Sequence, residues 1–103
     1  MSVLFSEGFL GGLRLENRLV VSPMCQYSAV DGIAQPWHLV HLGQMMISGA
    51  GLVIVEATAV EPQGLGTRGD MGLYDDAQES ALSELVGNLR TLSSAKIGIQ
   101  LTH

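Results

Sequence analysis

The run Leu52-Val53-Ile54-Val55, set off by Gly51, is the feature that most constrains the fold. Successive side chains of a strand point to opposite faces, so an unbroken apolar run needs cover on both, as in parallel sheets flanked by helices. Two further segments read the same way. Leu19-Val20-Val21-Ser22-Pro23 is a compact β-branched run closed by proline, and Lys96-Ile97-Gly98-Ile99-Gln100-Leu101 forms a third short strand. Helical periods lie between them. Pro36, suited to a first helical turn, precedes Leu39, Val40, Leu42, Met45, Met46 and Ile47, which predicts a helix ending at Ser48-Gly49. Asp75 followed by Gln78 resembles a capping box, and Ala81, Leu82, Leu85, Val86, Leu89 and Leu92 recur at helical spacing behind it. At the start, Leu4 to Asn17 is broken by Gly8, Gly11 and Gly12 and reads as a small hairpin, while Asp31-Gly32 marks a turn.

Strand, helix, strand, helix, strand makes two right-handed crossovers, which belong either to an open doubly wound sheet or to part of a closed β/α barrel. Both architectures gather ligands at the carboxyl ends of their strands, which here are Pro23 to Tyr27, Glu56 to Thr58 and Gln100 to His103. The 103 residues suffice for one small domain but fall well short of the roughly 250 of a closed barrel. With 47% apolar and 15% charged residues the chain resembles the interior of something larger. A net charge of −5 with only five scattered basic residues opposes nonspecific binding to nucleic acid or an anionic membrane. The single cysteine, Cys25, has no partner for an internal disulfide or a zinc-type pair. No basic n-region opens the chain and no window reaches about 18 consecutive apolar residues, so the expected setting is cytoplasmic.

Three other features invite chemistry. His38 and His41 are spaced to share a helix face, yet no third ligand is evident and packing roles are the commoner use, so no metal is expected. Gly64-Leu65-Gly66-Thr67-Arg68-Gly69 spells the dinucleotide pattern G-x-G-x-x-G, but Glu61-Pro62-Gln63 separates it from the strand and no helical period follows. A glycine-rich loop is the better reading. Glu56, at a strand end, could be an acid or base, or could bond backbone or pair with an arginine.

Three segments carry a family resemblance. Asn17 to Ser28 (NRLVVSPMCQYS), Gly49 to Val60 (GAGLVIVEATAV) and Gly98 to His103 (GIQLTH) resemble, in order and spacing, the first three barrel strands of the Old Yellow Enzyme family. Cys25 and Tyr27 in the first segment resemble the subgroup of xenobiotic reductases and thermophilic-like ene-reductases. The resemblance implies the N-terminal portion of a (β/α)8 barrel over residues 1–103, with a hairpin cap at 1–18 and three barrel strands with two helices at 19–103. It also implies non-covalent FMN, reduced by NADPH or NADH, that passes hydride to activated alkenes such as α,β-unsaturated carbonyls.

By the same resemblance, main chain at Pro23 and Met24 contacts the flavin. The Ala57 backbone sits near its N5 and O4 side, and the Gln100 carboxamide bonds its pyrimidine edge. Cys25 lies near the flavin and tunes its potential, and Tyr27 lines the substrate pocket; His103 is not counted as catalytic. The family places its substrate-carbonyl donors, a proton-donating tyrosine and the FMN phosphate ligands on later strands. The isolated stretch is therefore expected to be inactive, and the full-length enzyme to form a homo-oligomer. The alternatives are a noncatalytic remnant or assembly partner of a split barrel and, more weakly, a small dinucleotide-binding α/β module built on the Gly64 to Gly69 loop.

Overall fold

The computed structural model describes residues 2–103. Met1, the first residue of the expected cap, lies outside the described residues. The cap is a hairpin of β1 (Gly8–Leu10) and β2 (Leu13–Leu15), antiparallel, with Gly8 opposite Leu15 and Leu10 opposite Leu13. Gly11 turns it with φ 56°.

The second sheet is parallel. It comprises β3 (Val20–Val21), β4 (Leu52–Ala59), β5 (Met71–Gly72) and β6 (Lys96–Thr102). Leu52 pairs with both Val20 and Lys96, and Thr58 with both Met71 and Leu101. β4 is therefore central, with β6 along one edge and β3 and β5 sharing the other. The strand after Gly51 runs through Glu56 to Ala59, beyond the apolar run, because backbone pairing on both edges carries it past the charged residue. β3 is shorter than the Leu19 to Pro23 run. β5, which no periodicity announces, forms only because Met71 and Gly72 meet Thr58 and Ala59.

The crossovers are α1 (Pro36–Met46), ending two residues before Ser48, and α2 (Asp76–Arg90), which leaves Leu92 beyond it. Pro36 holds the first turn of α1. Asp75 Oδ1 accepts the Gln78 N–H at 2.8 Å, the expected cap of α2. The reciprocal bond differs: the Gln78 carboxamide accepts the Tyr74 N–H and donates to the Asp31 carbonyl, tying the turn before α1 to the start of α2. Leu42 and Met46 from α1, and Leu85 and Leu89 from α2, pack on Val53, Val55 and Met71 of the sheet. Leu89 is fully buried, a burial that stabilises by about 1.5–3 kcal/mol for a side chain of its size.

The amino-terminal end of the sheet is pinned by Asn17. Its Oδ1 accepts from the Leu19 and Gly51 N–H groups at 3.0 and 2.8 Å, and its Nδ2 donates to the Gly49 carbonyl at 2.7 Å. These bonds fix β3 against β4 before either strand begins. A cleft of about 240 Å³, lined by Gly49, Ala50, Gly51 and Ser93 to Lys96, opens at this end, opposite the strand termini where β/α folds place their chemistry. No helix among the described residues is long and apolar enough to cross a membrane.

Candidate functional site

At the carboxyl end of the sheet β4 departs from regular pairing. Val55 is opposite Ile99 and Thr58 opposite Leu101, so β4 uses three steps where β6 uses two. This is a β-bulge at Glu56-Ala57, a device that re-aims side chains and recurs beside active sites. Gln100 lies across from it on β6, exposed, and no hydrogen bond engages its carboxamide among the described residues.

The segment after β3 folds over the bulge. The Ala57 N–H faces the half-buried Cys25 thiol, so two of the sequence-identified residues meet directly. Burial, followed by the nearby Asp70 charge, pushes the thiol above its ordinary value; the Ala57 N–H opposes the rise and Glu56 adds to it. The site therefore favours a neutral thiol over a nucleophilic thiolate. Pro23 is partly buried and Met24 exposed. Gln26 organises this stretch: its Nε2 donates to the Met24 carbonyl at 3.0 Å and its Oε1 accepts from Trp37 Nε1 at 2.9 Å.

Tyr27 is 67% exposed and has φ 54°. A non-glycine residue in the left-handed region is held there by its surroundings. Ala29 N–H donates to the Gly69 carbonyl at 3.0 Å, and Gly69 lies so close beneath Tyr27 that a Cβ there would sit 2.5 Å from the Tyr27 carbonyl carbon and oxygen.

Glu56 and His38 form a buried pair. His38 is fully buried and Glu56 is 2% exposed. His38 Nδ1 accepts the Gln35 N–H at 2.9 Å and lies 3.3 Å from the Gln35 carbonyl oxygen, while Nε2 lies 3.3 Å from Glu56 Oε1. The alignment is short of a good hydrogen bond, and His38 Nε2 has no other partner among the described residues. Glu56 Oε2 accepts the Gln26 N–H at 3.4 Å. His41 turns away and stacks on Trp37, its ring centroid 6.5 Å distant, so the two histidines share no ligand direction. Among the described residues no three His, Cys, Asp or Glu side chains gather.

The Gly64 to Gly69 segment follows a short 3-10 turn at Pro62–Gly64 and opens no helix. Asp70 Oδ2 accepts the Gly66 and Thr67 N–H groups at 2.9 and 3.0 Å, filling with an internal carboxylate the donors a phosphate would need. Gly64 packs on the backbone of His103, whose Nδ1 is 3.7 Å from Glu61 Oε1 on the surface. Sequence reasoning singled out Pro23, Met24, Cys25, Tyr27, Ala57 and Gln100, gave His38 a backbone or packing role, of which the bond from Gln35 is the backbone kind, left Glu56 open, and read Gly69 only as part of a glycine-rich loop. The available signal was a lone carboxylate following four apolar residues.

The sequence profile described as the NADH:flavin oxidoreductase / NADH oxidase family matches residues 4–103. An NADPH dehydrogenase of Listeria monocytogenes is 50% identical over 105 residues, covering 100% of this chain and 31% of that protein. The chain thus spans about a third of the length of the curated relatives it matches. A structure of morphinone reductase in complex with tetrahydroNAD superposes with a TM-score of 0.87 at 29% identity, covering 100% of this chain and 28% of that one. The old yellow enzyme homologue from Zymomonas mobilis gives 0.83 at 25%, covering 99% and 28%. These neighbours are β/α barrels, and of the two architectures open to the sequence the parallel sheet is part of such a barrel.

Proposed function

Because the chain belongs to the NADH:flavin oxidoreductase / NADH oxidase family, within which it is an Old Yellow Enzyme relative, we propose that residues 1–103 are the N-terminal part of one FMN-binding barrel domain of an NAD(P)H-dependent ene-reductase. When bound, FMN would supply hydride transfer between NADPH or NADH and an activated alkene such as an α,β-unsaturated carbonyl. The chain's own residues bind, orient and tune. Main chain at Pro23 and Met24 flanks the flavin, the Ala57 backbone meets its N5 and O4 side, and the Gln100 carboxamide, both donor and acceptor, matches its pyrimidine edge without adding charge. Cys25 presents a neutral thiol that sets the flavin's potential, and Tyr27 lines the pocket for the small-molecule substrate.

The observation that carries this reading is the bulge: it brings the Ala57 main chain to Cys25 on one side, while the unengaged Gln100 carboxamide lies across from it on β6. The cytoplasm as the site of action and a homo-oligomeric full-length enzyme are part of the same proposal, as is inactivity of residues 1–103 alone. The test is the visible absorbance of the purified full-length protein, followed by NADPH oxidation with and without 2-cyclohexen-1-one. Yellow protein with alkene-dependent oxidation supports the proposal, and Cys25→Ala should then alter potential and turnover while retaining FMN. Colourless protein, or oxidation indifferent to the alkene, refutes it.

A further inference from the structure

Glu56 and His38 lie outside every role given above, yet the structure holds both beyond the reach of water. A buried carboxylate is costly unless its oxygens are met by donors, so such a pair survives where it fixes something. Here each Glu56 oxygen faces a nitrogen. Oε1 lies 3.3 Å from His38 Nε2, and Oε2 receives the Gln26 N–H at 3.4 Å. The second donor belongs to the peptide that joins Cys25 to Gln26, so the carboxylate holds the backbone one atom from the Cys25 Cα–C bond. The His38 ring is itself held through Nδ1 by the backbone amide of Gln35, the N-cap residue just before α1. A line of contacts thus runs from the N-cap of α1, through imidazole and carboxylate, to the peptide after Cys25. Trp37, one residue before His38, grips the Gln26 carboxamide from the other side at 2.9 Å.

We propose that Glu56 is a positioning residue which, oriented by His38, clamps the Cys25–Gln26 peptide and so sets where the Cys25 thiol stands over the bulge. The inference rests on the flavin reading for its consequence in the enzyme but not for its geometry. Glu56 reaches the flavin only through Cys25. Replacement by alanine removes the acceptor of the part-buried Gln26 N–H and the carboxylate beside His38 Nε2, whereas glutamine keeps one acceptor oxygen for the two, so the effects rank Glu56→Ala above Glu56→Gln above wild type.

The experiment has two arms. In the apoprotein, alkylation of Cys25 by iodoacetamide at neutral pH should quicken about fivefold in Glu56→Ala, the change in open population expected from losing one modest hydrogen bond, and less in Glu56→Gln. In the flavin-loaded protein, the visible spectrum and midpoint potential should shift in the same direction as in Cys25→Ala, and adding Glu56→Ala to Cys25→Ala should shift them no further. If Glu56→Ala does not fold, Glu56→Gln carries both arms. The inference is overturned if the folded variant leaves alkylation and potential unchanged, or if its effect persists undiminished without the thiol. A wild-type protein that takes up no flavin would sink the functional reading instead, and the alkylation arm would still decide the clamp.

Discussion

A methyl group added at Gly69 and one added at Gly87 should have opposite effects. At Gly69 the new Cβ would lie 2.5 Å from the Tyr27 carbonyl carbon and oxygen and 2.8 Å from its Cα, all backbone atoms, so the two segments must part by at least about half an ångström. Overpacking of that kind costs about 1–3 kcal/mol. The 3.0 Å bond from the Ala29 N–H to the Gly69 carbonyl spans the same gap, and straining it removes a further ~0.5–1 kcal/mol. Loss of glycine freedom in the unfolded chain offsets about 0.4–1 kcal/mol. Gly69→Ala should therefore destabilise by about 2 kcal/mol. Gly87 lies inside α2, exposed, with nothing within 4 Å of an added Cβ, so Gly87→Ala should stabilise by about 0.5–1 kcal/mol through helix propensity. Urea unfolding followed by circular dichroism measures both. Midpoints that move the same way, or a Gly69→Ala variant as stable as wild type, would refute the close approach beneath Tyr27.

Leu89→Ala should cost about 2–5 kcal/mol by the same assay, because the fully buried side chain sits among α1, α2 and the sheet. Asn17→Ala should cost about 1–3 kcal/mol through its three backbone bonds while leaving Cys25 alkylation unchanged, since those bonds lie at the opposite end of the sheet. The raised Cys25 pKa gives a signed pH effect. Its contribution is intact below the unfolded thiol value of about 8.5 and is lost as pH rises through the folded value, because the unfolded chain releases its proton first. Unfolding measured from pH 8 to 10 should show that decline in wild type, and Cys25→Ser should abolish it.

Those parts of the fold that repeat a period were legible in the sequence. Leu52 to Val55 required two-sided cover, and Pro36 and Asp75 marked where helices begin, because fixed φ and a side-chain acceptor act within one turn. What was not legible depends on partners distant in sequence. Met71-Gly72 is too short to carry a period and becomes a strand only against Thr58-Ala59. Gln78 has the spacing of a local cap yet serves Tyr74 and, across the fold, Asp31. The site divides similarly. Cys25, Tyr27, Ala57 and Gln100 stood out by family resemblance, whereas the part of Glu56 depends on His38 and Gln26, brought together only by the crossover helix and the loop after β3.

The bulge in β4 also has a bearing on how this region can change. A strand keeps its two faces apart by alternation, and three residues spanning the space of two reverse the count from Thr58 onward. Residues 52–55 and 58–59 are thus written in different reading frames of the same strand. Deleting Ala57 would restore a regular ladder with Thr58 still opposite Leu101, so residues 58–59 would keep their faces and only the re-aimed main chain at Glu56-Ala57 would be lost. A one-residue deletion here would thus be absorbed by the ladder, and its effect would fall on the meeting of Ala57 with Cys25 alone.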